Sequence, residues 1–442
     1  MVKGYDATHW YSFSRINPCT TQMQPRRSFL KKAIGASVLL GGSFGFRQAP
    51  RNTTDRSGLL KQFQAIEREP IVQHQHIPNP VPISDIGVYR NGAHFFLRAR
   101  SNSGVEGIAA MKPKYAERLY PIIYEMLVPI LKGKDARKWD ELLDDLYLKK
   151  LNYKWQGLAL WVAVAYVEIA VLDMLGKAGG VPISTLLGGR VRDEVDIYYA
   201  SGRRGNAPEA EIEHLLELVE ASGAKAVKYR LGARMHYTDE SMARDKKLIP
   251  LVRKTLGNDA TIYTDANGSF DVPAAIEIGR ILEAYGTDFF EEPCPFDYYD
   301  ETKAVADALK VPVAGGEEEA SMRRFMWFLT EDALQVIQPD LLFFGGLVRS
   351  AKVAKMAKIV GKPCTPHISG DGLGFLYMMH FASFVPNIGP YQEFKGNEDG
   401  IPVESSVSLQ PSGGRISVPD APGLGIAFDP AFVEKAERVK AL

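Results

Sequence analysis

The chain has 442 residues, a length that exceeds one small core and predicts two domains or one large barrel with an addition. Lysine plus arginine and aspartate plus glutamate number 53 each, so the formal charge is zero and favours neither nucleic acid nor an anionic membrane as a partner. The three cysteines are few and widely spaced, and they form neither a disulfide framework nor a zinc-binding pattern.

A twin-arginine pattern stands near the N-terminus, in PRRSFLKKAIGASVLLGGSFGF (25–46). Paired arginines before a modest apolar run resemble a twin-arginine export signal; the alternative is a chance basic patch. The run is shorter than the ~18 apolar residues of a membrane span, so we expect no permanent membrane anchor. Residues 1–60 are therefore predicted to be an export signal and linker of a bacterial periplasmic protein, and a start at Met23 would give the signal a usual length.

Residues 61–192 have the mixed pattern of an α+β domain. The stretch DIGVYRNGAHFFLRARSNSGVEGIAA (85–110) predicts a hairpin and a third strand, with Asn91-Gly92 as the turn. Helical periodicity follows and ends in a long apolar stretch, GLALWVAVAYVEIAVLDMLGKAGG, which is closed by glycines. A three-stranded sheet followed by helices is an α+β arrangement.

From residue 193 to residue 399, short β-like runs alternate with helical stretches. The eight runs are DIYYASG, AVKYRLG, TIYTDAN, DFFEEP, VPVAGGE, VIQPDL, PCTPHIS and IGPYQEF. Near-continuous apolar runs suit parallel strands buried on both faces, and the alternation predicts an α/β fold of the (β/α) barrel type. A doubly wound open sheet is the alternative, but no glycine-rich phosphate fingerprint follows any strand.

Six polar residues stand near the C-terminal ends of successive strands: Asp265, Glu291, Glu317, Asp340, His367 and Glu393. Their spacing of 23 to 27 residues is about one βα unit. A barrel places all six around one mouth, where the active site of this fold is built. A single acidic residue in such a place is usually a helix cap, but six in phase, including a histidine, indicate an active site.

Three of these carboxylates, Asp265, Glu291 and Glu317, come from consecutive strands. Carboxylates that lie close together repel one another unless a cation neutralises them, and an all-oxygen cluster favours Mg²⁺ over zinc. Such a metal could clamp a substrate carboxylate and stabilise the enolate that forms when the α-proton leaves.

His367 and Asp340 lie on adjacent predicted strands and form a candidate catalytic dyad. Asp340 can orient the imidazole and raise its basicity; a histidine merely hydrogen-bonded in a loop is the alternative. Glu393 on the last strand can hydrogen-bond the enolate oxygen or a substrate hydroxyl, or it can cap a helix or form an ion pair.

In these motifs the chain resembles the enolase superfamily, in particular its mandelate racemase subgroup. TDAN, FFEEP and GGE match the three metal-ligand strands of that family, which implies as Mg²⁺ ligands Asp265, Glu291 and Glu317. QPD…GG and TPHIS match the subgroup's dyad, and YQEF matches its last-strand glutamate, which implies catalytic roles for Asp340, His367 and Glu393. The resemblance extends from about residue 66 to the C-terminus.

The resemblance also implies the architecture. We expect a modified (β/α)₇β barrel over 193–399, an N-terminal α+β capping domain over 61–192, and a C-terminal segment, 400–442, that returns to the capping domain. The subgroup often forms dimers or octamers, so we expect a homo-oligomer. Two cap loops usually decide the substrate in this family, and here they correspond to 72–82 and 103–115.

The second strand departs from the family pattern. The subgroup usually has Lys-x-Lys there, with a carboxylate-polarising lysine followed by an acid/base lysine, whereas this chain has Lys228 and Arg230. Both side chains point to one face of the strand, and Tyr229 points away. Lys228 can bind the substrate carboxylate, but a guanidinium stays protonated at a working pH and is a poor proton acceptor.

This departure favours a reaction that needs one base. Racemisation requires a base on each face of the α-carbon, whereas His367 alone could remove the α-proton and then protonate a departing β-hydroxyl. The sequence therefore predicts a Mg²⁺-dependent dehydratase of a sugar acid that yields a 2-keto-3-deoxy acid. An epimerase or cycloisomerase is the alternative, and a non-catalytic periplasmic binding protein is a third reading.

Substrate contacts are predicted from the loops around the mouth. The candidates are Asn267 in TDAN, Arg203 with its neighbour Arg204 after the first strand, and four residues of the cap loops: His74, His76, Lys112 and Lys114. The arginines could meet a distal substrate carboxylate, or they could belong to a solvated turn. The cap-loop residues could equally be ordinary surface residues.

Overall fold

The computed structural model describes residues 55–368, 372–396 and 400–440. The export signal predicted at 25–46 lies outside these residues. The first part of the described chain contains α1 (Arg56–Arg68), β1 (Ile83–Asn91), β2 (His94–Ser101), β3 (Glu106–Met111), α2 (Pro113–Ile122), α3 (Val128–Leu131), α4 (Trp139–Leu148), α5 (Leu158–Gly179) and α6 (Ile183–Leu186).

β1, β2 and β3 form an antiparallel sheet in chain order. The predicted Asn-Gly hairpin is present: Asn91 pairs with His94, and Gly92 has a φ of +60°, a conformation that suits glycine. This tight turn joins β1 and β2, which pair with each other along their whole length. The sheet packs against α5.

α5 is a core helix. It is apolar all round, and it ends at Gly180, which has a left-handed φ of 65° and caps the helix. Among the described residues it is the one helix with the length and composition to cross a membrane, yet 89% of its most apolar window is buried inside the protein. The helix is therefore surrounded by other parts of the protein.

The second part of the described chain alternates strands and helices: β4 (Glu194–Ala200), α7 (Pro208–Ser222), β5 (Ala226–Arg230), α8 (Asp239–Leu256), β6 (Thr261–Asp265), α9 (Val272–Ala284), β7 (Phe289–Glu291), α10 (Tyr299–Ala308), β8 (Val313–Gly315), α11 (Met322–Thr330), β9 (Val336–Ile337), α12 (Leu347–Ile359), α13 (Gly374–Phe384) and β10 (Gln392–Phe394). The strands pair in parallel in the order β10-β4-β5-β6-β7-β8-β9. Parallel bridges from Ile337 to Cys364 and from Cys364 to Ile388 continue the ring at the place of the predicted PCTPHIS strand. The predicted barrel with an α+β domain before it is confirmed.

The inside of the barrel is a packed core with a polar layer above it. The rings of Tyr263 and Phe289 stack at 3.8 Å, and Tyr198 meets Tyr263 edge-on at 5.0 Å. Ala226 belongs to the same apolar cluster. Because side chains alternate along a strand, the residues two positions further along β5, β6 and β7 also face inward, closer to the mouth.

The chain ends with β11 (Val403–Ser405), β12 (Arg415–Ser417), β13 (Ile426–Phe428), α14 (Pro430–Glu434) and β14 (Glu437–Arg438). β12 pairs antiparallel with β4 of the barrel, and β14 pairs antiparallel with β1. Arg438 of β14 also forms an ion pair with Asp85 of β1, with 2.9 Å between the guanidinium and the carboxylate. The last strand therefore adds a fourth strand to the N-terminal sheet.

Two buried carboxylates of α5 join it to the rest of the protein. Glu168 accepts hydrogen bonds from the Trp139 indole N–H at 2.7 Å and from the backbone N–H of Val348, at the start of α12, at 3.0 Å. Asp173 accepts from the backbone N–H groups of Ile108 in β3 at 2.9 Å and of Leu424 at 2.8 Å. These carboxylates connect the N-terminal domain to the barrel and to the C-terminal segment.

The Glu168 carboxyl should make stability depend on pH. Burial raises its pKa from 4.5 to about 7, against the hydrogen bonds from Val348 and Trp139, which lower it. The folded state therefore binds this proton more tightly than the unfolded state does, and stability falls as the pH rises from about 4.5 to about 7. At about 1.4 kcal/mol for each pH unit, this carboxyl accounts for about 3 kcal/mol.

We expect Glu168→Gln to remove that fall. The measurement is urea unfolding from pH 4.5 to 7.5, compared between the wild type and the variant. The amide loses one hydrogen bond, a constant cost at every pH, so the slope is the readout. Glu213→Ala on the exposed face of α7 is the control. A difference between wild type and Glu168→Gln that does not change with pH would contradict the assignment.

Candidate active site

The polar layer at the barrel mouth follows from strand register. Arg230 in β5 lies beside Asp265 in β6, and Asp265 lies beside Glu291 in β7. Lys228 and Glu291 stand two residues after Ala226 and Phe289 of the apolar layer, so they face inward as well. Tyr229 faces away from the mouth, as predicted, and it is fully buried in an apolar cluster that includes residues of α7 and α8.

Asp265, Glu291 and Glu317 form a compact carboxylate cluster. One oxygen of each can be chosen so that the three lie within 4.8 Å of one another, and all three residues are buried. The helices that follow Asp265 and Glu317 are capped by Asp271 and Ser321, so neither carboxylate caps the next helix. A helix-capping role is therefore excluded for Asp265 and Glu317.

The electrostatics of this cluster fit a cation. Burial and then the charges of Glu292 and Glu291 raise the pKa of Glu317 well above its usual value. Among the described residues, Oε1 of the buried Glu291 has no hydrogen-bond partner. Three carboxylates and an unpaired buried oxygen could hold a metal ion, and an all-oxygen set suits a hard cation.

Lys228 lies beside the carboxylate cluster and is completely buried. Its Nζ lies 2.7 Å from Glu291 Oε2, 2.7 Å from Glu393 Oε1 and 3.8 Å from Asp265 Oδ2. Burial opposes the charge of Lys228, but Glu291 and Glu393 outweigh it and raise the pKa of the ammonium. Lys228 therefore supplies a fixed positive charge next to the cluster.

Arg230 is held by three partners. Its guanidinium forms an ion pair with Asp265, and its Nε donates to the carbonyl of Ser201 at 3.1 Å. A third contact, at 3.4 Å, reaches Oδ1 of Asn267. These contacts use the guanidinium as a positioning group, in line with its poor capacity to accept a proton.

The structure brings His367 and Asp340 together. His367 Nδ1 lies 2.6 Å from Asp340 Oδ2, and the other oxygen of Asp340 accepts the backbone N–H groups of Leu342 at 2.7 Å and Phe343 at 2.8 Å. Because a carboxylate only accepts, the hydrogen bond assigns the imidazole proton to Nδ1 and leaves the lone pair on Nε2. Nε2 is therefore the atom that can act as a base.

A lysine that sequence reasoning missed reaches this nitrogen. Lys395 Nζ lies 2.9 Å from His367 Nε2 and 2.7 Å from Glu393 Oε2. The pattern that could have revealed it is period two along the last strand: Tyr391 packs on the apolar layer, Glu393 belongs to the polar layer, and Lys395 is the next residue on that face.

The mouth opens into a cavity of about 420 Å³, a size suited to a small molecule. The N-terminal domain contributes Lys112, Lys114 and Leu158 to its wall. The barrel contributes, among others, His367 and Lys395. The cavity therefore combines the catalytic candidates with cations from the capping part of the chain.

Asn267 is a predicted substrate contact that lies in this wall, as do the predicted cap-loop contacts Lys112 and Lys114. Its backbone N–H and its side-chain amide donate to the two oxygens of Asp265 at 2.7 and 3.1 Å. Its Oδ1 accepts from Arg204 at 2.5 Å and from Arg234 at 3.3 Å. Arg204 is one of the two arginines predicted after the first strand, whereas Arg234 is a cation of the mouth that only the fold identifies.

Three predicted substrate contacts, Arg203, His74 and His76, do not line the cavity. Arg203 has an exposed side chain, and its neighbour Arg204 is the one that turns to Asn267. His74 and His76 form a short 3₁₀ turn at the surface, where the ring of His74 hydrogen-bonds the carbonyl of Arg137 at 2.7 Å. The sequence did not predict these positions correctly because residues in loops follow no regular period, so the direction of their side chains is not determined locally.

Two family models match the chain. Residues 68–188 match the N-terminal domain of the mandelate racemase / muconate lactonizing enzyme family, and residues 210–432 match the enolase C-terminal domain-like family. The chain belongs to the enolase superfamily, in its mandelate racemase branch. The resemblance predicted from the motifs is confirmed.

Curated relatives of this enolase-superfamily chain act on sugar acids or their lactones. An arabinonate dehydratase of Saccharolobus solfataricus is 31% identical over 316 residues, which cover 71% of this chain and 82% of the relative. A D-galactarolactone cycloisomerase of Agrobacterium fabrum is 31% identical over 312 residues, which cover 68% and 80%. Galactonate and xylonate dehydratases are also among the relatives, at 26–28% identity.

A solved structure supports the same placement. The mandelate racemase/muconate lactonizing protein of Paracoccus denitrificans, complexed with magnesium, superposes with a TM-score of 0.74 at 27% identity. The match covers 81% of this chain and 98% of that protein. This chain therefore has the superfamily fold, and the superposition includes nearly all of the Paracoccus protein.

The carboxylate cluster should bind a divalent cation. We expect added Mg²⁺ or Ca²⁺ to raise the melting temperature, because a ligand of the folded state alone stabilises it. Glu317→Gln should abolish most of that rise, since the amide removes one ligand charge. Glu318→Gln is the matched control: this neighbour lines the cavity but is not part of the cluster. An equal cation response in both variants would contradict the site.

Proposed function

We propose that this protein is a Mg²⁺-dependent dehydratase that converts a sugar acid, an aldonate or aldarate, into a 2-keto-3-deoxy acid. The observation that carries the proposal is the dyad at the cavity wall, in which His367 Nε2 is the base and Asp340 holds the proton on Nδ1. The second-strand position that holds a second base in much of the branch is occupied here by Arg230, which is bound to Asp265. The dehydratase relatives support the same reaction class.

Asp265, Glu291 and Glu317 would hold the Mg²⁺, and the ion, when bound, would attract the substrate carboxylate and stabilise the negative charge that develops on it. Lys228 adds a permanent positive charge to the same place, where it meets the carboxylate group from the protein side. These positive charges stabilise the negative charge that forms on the substrate carboxylate. The proton on the neighbouring carbon then becomes acidic enough for an imidazole to remove.

His367 Nε2 then takes the α-proton, and Asp340 stabilises the imidazolium through Nδ1–H. The electron pair left on the α-carbon forms the double bond to the β-carbon as the β-hydroxyl leaves. A proton delivered to that hydroxyl converts it to water. The enol product takes a proton at the β-carbon and loses its hydroxyl proton, which yields the 2-keto-3-deoxy acid.

A cycloisomerase is the second candidate function. The cycloisomerase relative is as similar to this chain as the arabinonate dehydratase is, at 31% identity. Both reactions begin with the same proton abstraction and differ in the fate of the β-oxygen substituent. Product analysis on a sugar lactone therefore separates them, since a cycloisomerase opens or closes a ring without releasing water.

The reaction test is a panel of aldonates, aldarates and their lactones with Mg²⁺, followed by NMR in D₂O. We expect one or a few acids to give a 2-keto-3-deoxy product. His367→Asn should lower kcat at least 10³-fold, because it removes the base but keeps a side chain of similar polarity. His214→Asn, on the outer helix α7, should keep wild-type activity.

Exchange of the α-proton without loss of water would move the assignment to an epimerase or cycloisomerase. Absence of both product and exchange across the panel would favour a barrel that only binds its ligand. Near-normal activity of His367→Asn would refute its role as the base.

We also propose that the protein acts in a bacterial periplasm as a homo-oligomer. The support for export is the twin-arginine pattern at 25–46. The support for assembly is a short segment with three exposed apolar side chains, Leu148, Leu151 and Trp155, which are 52–62% exposed. Cell fractionation should find the protein in the periplasm, and Lys-Lys in place of Arg26-Arg27 should retain it in the cytoplasm. A monomer in sedimentation velocity, or unchanged export of the Lys-Lys variant, would contradict the respective proposal.

A further inference from the structure

Lys395 lines the cavity and contacts the catalytic base directly. Its ammonium donates to His367 Nε2 at 2.9 Å and forms an ion pair with Glu393 Oε2 at 2.7 Å. Its side chain is 25% exposed, whereas Glu393 is completely buried. The ammonium therefore has a fixed anchor on one side and an open cavity on the other.

The ion pair with Glu393 does not by itself account for the position of Lys395 at the imidazole. Glu393 already has a buried cation on its other oxygen, because Lys228 Nζ lies 2.7 Å from Oε1. A second ammonium on Oε2 places a proton donor at the one imidazole nitrogen whose lone pair is free to act as a base. A substrate whose α-proton faces Nε2 must take the place of this hydrogen bond, and the ammonium is then left next to the reacting carbons.

The proposed dehydration requires a proton for the departing hydroxyl. Arg230 is not suited to deliver it, since its guanidinium is committed to Asp265, Ser201 and Asn267. His367 could deliver it only after receiving the α-proton, so one nitrogen would have to serve two carbons in turn. A neighbouring acid removes that requirement.

We propose that Lys395 is a catalytic residue that protonates the departing β-hydroxyl and recovers its proton from His367. The inference rests on the proposed dehydration. The α-C–H bond breaks and its proton goes to His367 Nε2; the carbon electron pair becomes the new C=C bond while the C–O bond breaks; the oxygen takes a proton from Lys395 Nζ and leaves as water. The proton on Nε2 then passes to the neutral amine across the 2.9 Å contact, which restores both groups.

Variants at position 395 test this role on the sugar acid that the wild type dehydrates in the panel. Lys395→Met should lower the rate of water loss about 100-fold, as expected for loss of a general acid, whereas His367 should still exchange the α-proton with D₂O within about 3-fold of the wild-type rate. Lys395→Arg keeps the cation beside Glu393 but is a poor acid, so it should behave like Lys395→Met. Lys358→Met, at an exposed position of α12, controls for loss of a surface charge.

Chemical rescue separates an acid from a structural cation. Primary amines of graded basicity, added to Lys395→Ala, should restore water loss with a rate that depends on the acidity of the ammonium ion. A structural ion pair with Glu393 predicts that Lys395→Arg is active, that exchange and water loss fall together in Lys395→Met, and that rescue does not depend on acidity. Any of these three results, or wild-type dehydration by Lys395→Met, overturns the inference.

The wild-type protein decides the proposed function separately. Dehydration by the wild type with unaffected Lys395 variants leaves the proposed function standing and removes only the role of Lys395. Exchange without dehydration in the wild type, or no turnover of any acid in the panel, overturns the proposed function and, with it, the need for an acid at this position.

Discussion

The mouth of the barrel depends on the neutralisation of buried carboxylates. Asp265, Glu291 and Glu393 are fully buried, and Lys228 is the buried ammonium that contacts all three. Burial opposes the charge of Glu291, but Lys228 and Arg230 together lower its pKa. The pKa of Glu292 rises to about 8 through burial and the nearby Glu291 and Glu318. One lysine therefore does not neutralise the whole group, and the remaining negative charge is what a divalent cation would balance.

The need to neutralise buried carboxylates also explains the positions of the other cations of the mouth. Arg230 binds Asp265 and so cannot serve the substrate as a free acid or base, whereas Lys395 binds the outer oxygen of Glu393 and stays at the cavity surface. The groups that can transfer protons therefore lie on one side of the mouth, where the PCTPHIS segment with His367 and the last barrel strand, β10, are neighbours. This asymmetry is the physical basis for a reaction that needs proton transfer at one face of the substrate.

The capping domain is joined to the barrel by polar contacts in an apolar setting. α5 is almost entirely buried, yet Glu168 reaches the first turn of α12 and Asp173 reaches the C-terminal segment. Gly346 lets the backbone approach Glu168, since any side chain there would collide with the carboxylate. Because the cavity wall includes Lys112, Lys114 and Leu158, these contacts also determine how closely the cap surrounds the substrate.

The fold and most of the candidate active site could be predicted from the sequence. The alternation of strand-like and helical stretches predicted the barrel. The regular spacing of polar residues at the strand ends predicted the meeting of Asp265, Glu291, Glu317, Asp340, His367 and Glu393, because parallel strands bring equivalent positions to one edge. Loop contacts were predicted only in part: Asn267, Lys112 and Lys114 line the cavity, but Arg203 and the cap histidines do not, and the sequence did not indicate Arg234 or Lys395. Strand period and spacing determine which residues share a face, since they are properties of the local backbone. Which cation reaches which carboxylate is decided only by the tertiary structure, because it depends on distances between segments far apart in the chain.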